Sequence, residues 1–581
     1  MDKTAQPDWQ IADDAERRMK PFTQVGSELG LRDEEMLPAN RFYGKIEADA
    51  VLARVGAERR AKYVVVTAIN PTPAGEGKTT TTIGLIDALA LAGHRTTGAI
   101  RQPSSGPTFN LKGAGAGGGL SQCLPRTPLS IRLTGDIDSV TNAHNLAMTA
   151  LTSRMQHERN YDDARLAKSG LQRLDIDPTQ VQIGWCLDFC AQALRQIDIG
   201  QGGTKDGVEM ASWFQMSATS EVMAILSLAK DLADLRQRIS RMVVARDRQG
   251  RDVTTADLEV DGAMCAWLAD AIKPNLLQTI GGNPMLVHAG PFANIAIGQS
   301  SIIADRLGCA LSDYHVTECG FGSDIGYEKL WNIKCRQSGM APDAAVIVAT
   351  VKALKHHGGL KNGKGAPAAS TEAMKALARG CANLEAHIDI VQASGVPAVV
   401  CVNAYASDHP DEVAMIRRCA DAKGVPAVRS DHFSQGGAGA TALAEAVVTA
   451  CEQPNEFRFL YTHDHPLRAR IETIAREVYG ADRIALSAAA AETIAELEAD
   501  PACATLDICM VKTQYSLSHD RQLLGRPSGF DLPIDEVLVF RGAGFVCPVA
   551  GGISLMPGTG SNPAYRGIDV DVETGRITGI R

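Results

Sequence analysis

Along the middle of the chain, short apolar runs alternate with longer segments in which apolar positions recur every three to four residues. Residues 64–69, 97–100, 284–287, 344–348 and 397–402 have the length and β-branched content of buried strands. Between and after them, residues 83–92, 220–241, 373–394, 411–422 and 441–451 carry the helical period. Strands that are apolar on both faces, separated by helices, predict an α/β fold: a parallel sheet covered by helices. The first 60 residues read as polar, amphipathic helices, notably at 12–19 and 45–52, packed outside that sheet. After 457 the pattern is more independent, with a helix at 467–479 and strands at 506–512 and 537–540. The expected division is a nucleotide-binding part at 1–355, a second α/β part at 356–456 and a smaller C-terminal α/β part at 457–581. A stretch rich in Gly, Lys, Ala and Pro at 360–371 reads as an exposed loop near the first boundary.

Composition narrows the class. With 581 residues the chain is long enough for several cores, and 45% hydrophobic residues can fill them. Aromatics make up only 5% while glycine numbers 55, which suits an enzyme with many Gly-containing loops. The net charge of −9 favours neither nucleic acid nor an anionic membrane as partner. No apolar run reaches the ~18 to 20 residues of a membrane span, and the first residues lack a signal-peptide pattern, so a cytoplasmic enzyme is expected. The 14 cysteines form no CxxC pair, and most sit in apolar runs, so buried thiols are expected rather than disulfides or zinc. Cys186 and Cys190 have helical spacing but no further ligand nearby to complete a metal set.

Thr72, Pro73, Ala74, Gly75, Glu76, Gly77, Lys78, Thr79 and Thr80 follow the first apolar strand and precede a helical pattern. Glycines let the backbone N–H groups turn inward, Lys78 can reach a terminal phosphate, and Thr79 or Thr80 can offer a hydroxyl to Mg²⁺. The strict P-loop pattern wants Gly where Thr72 stands, so the surrounding strand and helix carry this reading. It predicts ATP-like ligands. Arg101 ends the strand at 97–100 and should face the same pocket, because ligands bind beyond the carboxyl ends of parallel strands. The run at 112–119, with five glycines, reads as a ligand-approaching loop or a flexible linker. Asp136 closes another strand-like run and is a candidate Mg²⁺ ligand; Asp138 either shares that role or caps a helix. Residues 273–336 are dense in polar loop positions, among them His288, which is either a general acid or base or a structural histidine.

These blocks resemble, over nearly the whole chain, the formate–tetrahydrofolate ligase family. The resemblance rests on residues 67–82, on 101–119, on Asp270 to Leu276, on Val287 to Ile295 and on Lys512 to Ser518. It implies ligation in two steps: formate attacks the γ-phosphate of ATP with Mg²⁺ present, and N10 of tetrahydrofolate then accepts the formyl group from formyl phosphate. Lys78, Arg101 and Asp136 would be the catalytic residues, with Arg101 holding formate. Tyr405 and Phe433 would sandwich the pterin, Phe433 standing where the family commonly has Trp. The resemblance also implies a homotetramer activated by a monovalent cation.

The chain departs from the family's usual pattern at several positions. Gln102 and Gln215 stand for acids, Ala438 for Lys, Leu120 for Tyr, Asp138 for His, and Ala550-Gly-Gly552 for Thr-Gly-Asp. These changes raise two alternatives: a diverged homologue that uses another small acid or acceptor or merely binds folate, and an ATPase that switches a partner.

Overall fold

A computed structural model describes residues 6–56, 60–73, 75–104, 115–363, 365–552 and 554–580. Its centre is one sheet of twelve strands. In chain order they are β1 (Met36–Pro38), β2 (Gly44–Ile46), β3 (Lys62–Ala68), β4 (Thr96–Ile100), β5 (Gly117–Gly118), β6 (Ser121–Leu124), β7 (Asn275–Thr279), β8 (Pro284–Val287), β9 (Tyr314–Glu318), β10 (Ala344–Ala349), β11 (Ala398–Asn403) and β12 (Ala427–Ser430). The spatial order is β1-β2-β7-β8-β4-β9-β3-β10-β11-β12, with β6 pairing β7 off this path and β5 pairing β6. From β8 to β12 every neighbour is parallel, so these strands all end at the same edge. At the other side β1, β2, β7 and β8 run antiparallel to one another.

The alternation within β3 shows why the sheet is buried on both faces. Val64, Val66 and Ala68 join Ile83, Leu85, Ile86 and Leu89 of the helix Lys78–Leu91 in one core. Tyr63 and Val65 belong to another, with Ile347, Val400 and the helix Thr371–Ala393. That second core continues into Ile508 and Leu532 of the C-terminal strands, so the last part of the chain shares apolar contacts with the central sheet. Among the described residues no helix is long and apolar enough to cross a membrane, and no disulfide joins the cysteines.

Several local expectations change. The N-terminal segment does not stay outside the sheet: β1 and β2 form a hairpin that extends it through β7. The amphipathic stretch at 45–52 is therefore split between the end of β2 and the helix Ala48–Val55, because Lys45 is drawn to a buried carboxylate, Asp136. The helix expected at 220–241 is two, Glu221–Leu228 and Leu232–Ser240. Ala229 is extended between them, and Asp231 caps the second by accepting from the Asp234 N–H. The run before Asp136 is a turn with Arg132 and Leu133 at positive φ, rather than a strand. At 506–512 only Asp507–Ile508 and a bridge at Val511 pair. They join Phe545–Val549 and Glu536–Phe540 in a three-stranded sheet of their own.

Candidate active site

The residues singled out in the sequence gather at the carboxyl edge of the parallel strands. β3 runs into the glycine loop, β4 ends at Ile100 before Arg101, β9 ends on Glu318, β10 precedes Thr350, and β11 and β12 end at Asn403 and Ser430. Adjacency of β4, β9 and β3 brings three of these ends together.

The loop after β3 is folded by its own side chains. Glu76 is buried; its Oε1 accepts from the Thr72 N–H at 2.8 Å, its Oε2 accepts from Thr350 Oγ1, and Asn403 Nδ2 donates to its carbonyl at 3.0 Å. The carboxylate thus turns into the protein, and burial raises its pKa. A charge that would repel an anion is removed from the loop's mouth. Gly75 and Gly77 have φ of +81° and +77°, in the left-handed region that favours glycine. At Gly77 a Cβ would also lie 2.5 Å from Asn403 Nδ2. The helix Lys78–Leu91 then begins with no side-chain cap, leaving its first N–H groups for a ligand. Pro73 is exposed at the loop's outside. Ala74 lies outside the described residues, as do residues 112–114 of the second glycine-rich run.

Lys78 and Thr79 open this helix beside Glu318. Thr79 Oγ1 donates to Glu318 Oε2 at 2.6 Å, and Arg101 Nη2 lies 3.8 Å from Glu318 Oε1. Burial lowers the pKa of both Lys78 and Arg101, with the Glu318 charge opposing that shift in each. Thr80, one residue on, makes no side-chain hydrogen bond among the described residues. Glu318 escaped singling out in the sequence. Its signal was a carboxylate closing a buried apolar strand.

Around Arg101 several donors are fixed but unspent. Arg101 Nη1 donates to the Pro291 carbonyl at 3.1 Å, and the Gln102 N–H to the Ala289 carbonyl at 2.7 Å. Arg101 Nε, both amide atoms of Gln102 and Ser104 Oγ are buried and find no hydrogen-bond partner among the described residues. Leaving each such atom unsatisfied costs about 1–3 kcal/mol, and Arg101 Nε is a donor that a small carboxylate would satisfy. No group of three His, Cys, Asp or Glu that could hold a metal occurs among the described residues. A Mg²⁺ ion here would suit Thr79 and Glu318 plus phosphate oxygens, since Mg²⁺ takes one or two protein ligands at phosphate sites.

Asp136 is not drawn into this cluster. It starts the helix Asp136–Asn160, where Lys45 Nζ lies 2.7 Å from Oδ1 and Asn275 Nδ2 donates to Oδ2 at 2.7 Å. Both oxygens are already engaged. Asp138, in the same first turn, forms an exposed pair with Arg132. His288 is fully buried, accepts from Ser301 Oγ at Nδ1 and donates from Nε2 to the Ala271 carbonyl, and burial brings its pKa down to about 4. It is a neutral structural histidine.

Tyr405, on a loop, and Phe433, in the one-turn helix His432–Gln435, stand two and three residues beyond Asn403 and Ser430, which pair across β11 and β12. They remain 46% and 39% exposed, unusual for such large rings. The Leu120 N–H donates to the Phe433 carbonyl at 2.8 Å, and at Gly119 a Cβ would lie 2.1 Å from that oxygen, so the second glycine-rich turn closes on Phe433. His432 ties this short helix to the helix Lys78–Leu91 through Thr81 Oγ1 at 3.1 Å. Nothing in the local sequence announced that link. Ala438 sits in a short turn after Phe433, Gly552 faces open space, and Gln215 lies elsewhere, in a separate cavity.

The profile of the family described as formate–tetrahydrofolate ligase matches residues 6–581. A protein named formate–tetrahydrofolate ligase from Desulfovibrio desulfuricans is 56% identical over 588 residues, covering all of both chains. Others of that name, from Desulforapulum autotrophicum and Dehalococcoides mccartyi, are each 55% identical, covering all of this chain and 100% and 98% of their own.

Proposed function

The chain belongs to the formate–tetrahydrofolate ligase family, and from that premise we propose how its strand-end residues divide the work of joining formate to tetrahydrofolate with ATP. The Thr79–Glu318–Arg101 contact beside Lys78 is the observation that carries the assignment. Loop amides from Gly75 to Lys78 and the uncapped helix hold the phosphates, with Lys78 on the terminal one. Thr79 and Glu318 would hold Mg²⁺, which when bound neutralises charge on the phosphoryl oxygens. Asp136 has no part in this, because its oxygens are engaged by Lys45 and Asn275.

Arg101 Nε and Gln102 Nε2, the unspent donors, hold formate. A formate oxygen attacks the γ-phosphorus, ADP leaves, and formyl phosphate forms against Arg101 and Lys78. N10 of tetrahydrofolate then attacks the formyl carbon and phosphate leaves. Positioned positive charge supplies the rate, so no side-chain nucleophile is required. Tyr405 and Phe433 clamp the pterin by stacking. In this reading residues 1–355 handle ATP and formate, residues 356–456 handle the acceptor, and residues 457–581 buttress both. A cytoplasmic homotetramer with a monovalent cation completes the proposal; sedimentation and a salt series test those two additions.

Another acid, another acceptor or a partner-switching ATPase is not favoured, given the full-length match to the ligase family. The deciding assay supplies purified protein with formate, ATP, Mg²⁺ and tetrahydrofolate. Expected is one 10-formyltetrahydrofolate per ADP, with ADP release requiring both co-substrates. Equal ADP release without formate and folate would overturn the reading.

A further inference from the structure

A cavity of about 650 Å³ lies between the segment 180–246 and the C-terminal strands, and none of Lys78, Arg101, Glu318, Tyr405 or Phe433 lines it. It falls in the usual range for small-molecule sites. An apolar cluster of Cys190, Met216 and Met556 packs against both Phe214, in the cavity wall, and Phe292. Phe292 follows Pro291, whose carbonyl holds Arg101, so this cluster separates the cavity from the formate position.

Two buried polar side chains face this space with capacity to spare. Gln215 is 7% exposed, and its amide makes no hydrogen bond among the described residues. Glu221 Oε1 accepts from the N–H groups of Gly542 and Ala543 at 2.8 and 3.2 Å, while its Oε2 makes no bond among the described residues. Burial pushes the Glu221 carboxyl up to about 8, so near neutral pH it keeps its proton and Oε2 presents an O–H. The nearby His144 is neutral and both its nitrogens are bonded, to Ser220 Oγ and the Gly184 carbonyl. The cavity therefore offers an uncharged amide and an uncharged acid; Arg246 and Glu536 also line it, with Arg246 paired to Asp252 and Glu496.

The walls and mouth set the remaining chemistry. Trp213, Phe214 and Phe540 supply flat aromatic surface. Arg195 at the rim spends Nε on the Met556 carbonyl at 2.9 Å and pairs with no carboxylate among the described residues. An amide that donates and accepts from one edge matches a lactam, which accepts and donates from one edge. A guanidinium with free N–H groups matches an acid or phosphate.

We propose that this cavity is a second ligand site, distinct from the ligase centre, for a bicyclic lactam heterocycle bearing an acidic group. Two sources share that chemistry, an oxopurine nucleotide and an acidic pterin. The test titrates the full-length protein calorimetrically with inosine 5′-monophosphate and, separately, pterin-6-carboxylate, in the presence of saturating ADP and tetrahydrofolate. One equivalent of either probe should bind, and the probe that binds identifies the source. Gln215→Leu should weaken binding about tenfold, the worth of one to two hydrogen bonds. Leu538→Trp, which fills the cavity from another strand, should abolish it and decides the matter if Gln215→Leu fails to fold. Both variants should keep ligase kcat. Failure of both probes to bind at millimolar concentration, displacement by ADP or tetrahydrofolate, or unchanged binding in Leu538→Trp would overturn the proposal.

Discussion

Lys78, Thr79, Arg101 and Glu318 stand on strand ends or the first turn of a buried helix, whereas Tyr405 on a loop and Phe433 on the one-turn helix His432–Gln435 reach out to solvent. The phosphate side is built before any ligand arrives. Glu76 is bonded to Thr72 and Thr350, Asn403 fixes the loop's backbone, and Glu318 joins Thr79 to Arg101. The pterin side is tied to the glycine turn through the Phe433 carbonyl and to the helix Lys78–Leu91 through His432, but its two rings stay half exposed. Phosphoryl transfer gains from charges held in advance. A flat ring needs only two surfaces that can close on it. The difference predicts that damage on one side should appear in kcat and on the other in KM.

The largest effect should come from Glu318→Gln, which keeps the shape but removes the charge shared by Thr79 and Arg101. Loss of one electrostatic element of this kind costs about 10²–10³ in kcat; steady-state kinetics should show it, with a higher Mg²⁺ requirement and an unchanged KM for tetrahydrofolate. Asp136→Asn should act on folding instead, because it leaves Lys45 buried without its partner. Breaking such a pair costs about 3–5 kcal/mol, so denaturant unfolding should show the loss while the Mg²⁺ requirement of the remaining folded enzyme stays put. An altered Mg²⁺ requirement there would return Asp136 to the metal.

Smaller effects probe the other side. Phe433→Ala should raise KM for tetrahydrofolate about three- to tenfold, the worth of one stacking face, with the KM values for ATP and formate unchanged. Asp138→Asn should do least: its pair with Arg132 is exposed, such pairs contribute about 0–1 kcal/mol, and initial rates should stay within about twofold. A large fall would place Asp138 nearer the chemistry than its pairing implies.

Features made by neighbours in sequence were legible. The strand, glycine loop, Lys78 and following helix form one continuous pattern, and Arg101 follows from the rule for strand ends. Features made by distant partners were not. Thr79 meets Glu318 across 239 residues, and Thr81 meets His432 across 351. No periodicity reports such pairs. Asp136 looked like a metal ligand because a carboxylate at the mouth of a loop invites that reading; its partner, Lys45, lay hidden in a stretch patterned like a helix. Gln102 was visible as a departure from the family, but only the structure shows its amide buried with nothing among the described residues to bond.

The separation of the two sides is tested most directly by positional isotope exchange in ATP labelled at the βγ bridge, run with formate but without tetrahydrofolate. Scrambling of the label reports reversible formyl phosphate formation alone. A Tyr405→Ala/Phe433→Ala double variant should scramble at the unaltered protein's rate, while Glu318→Gln should lose scrambling about 10²–10³-fold. Equal loss in both would contradict the account, because the pterin loops would then be part of the phosphorylating machinery.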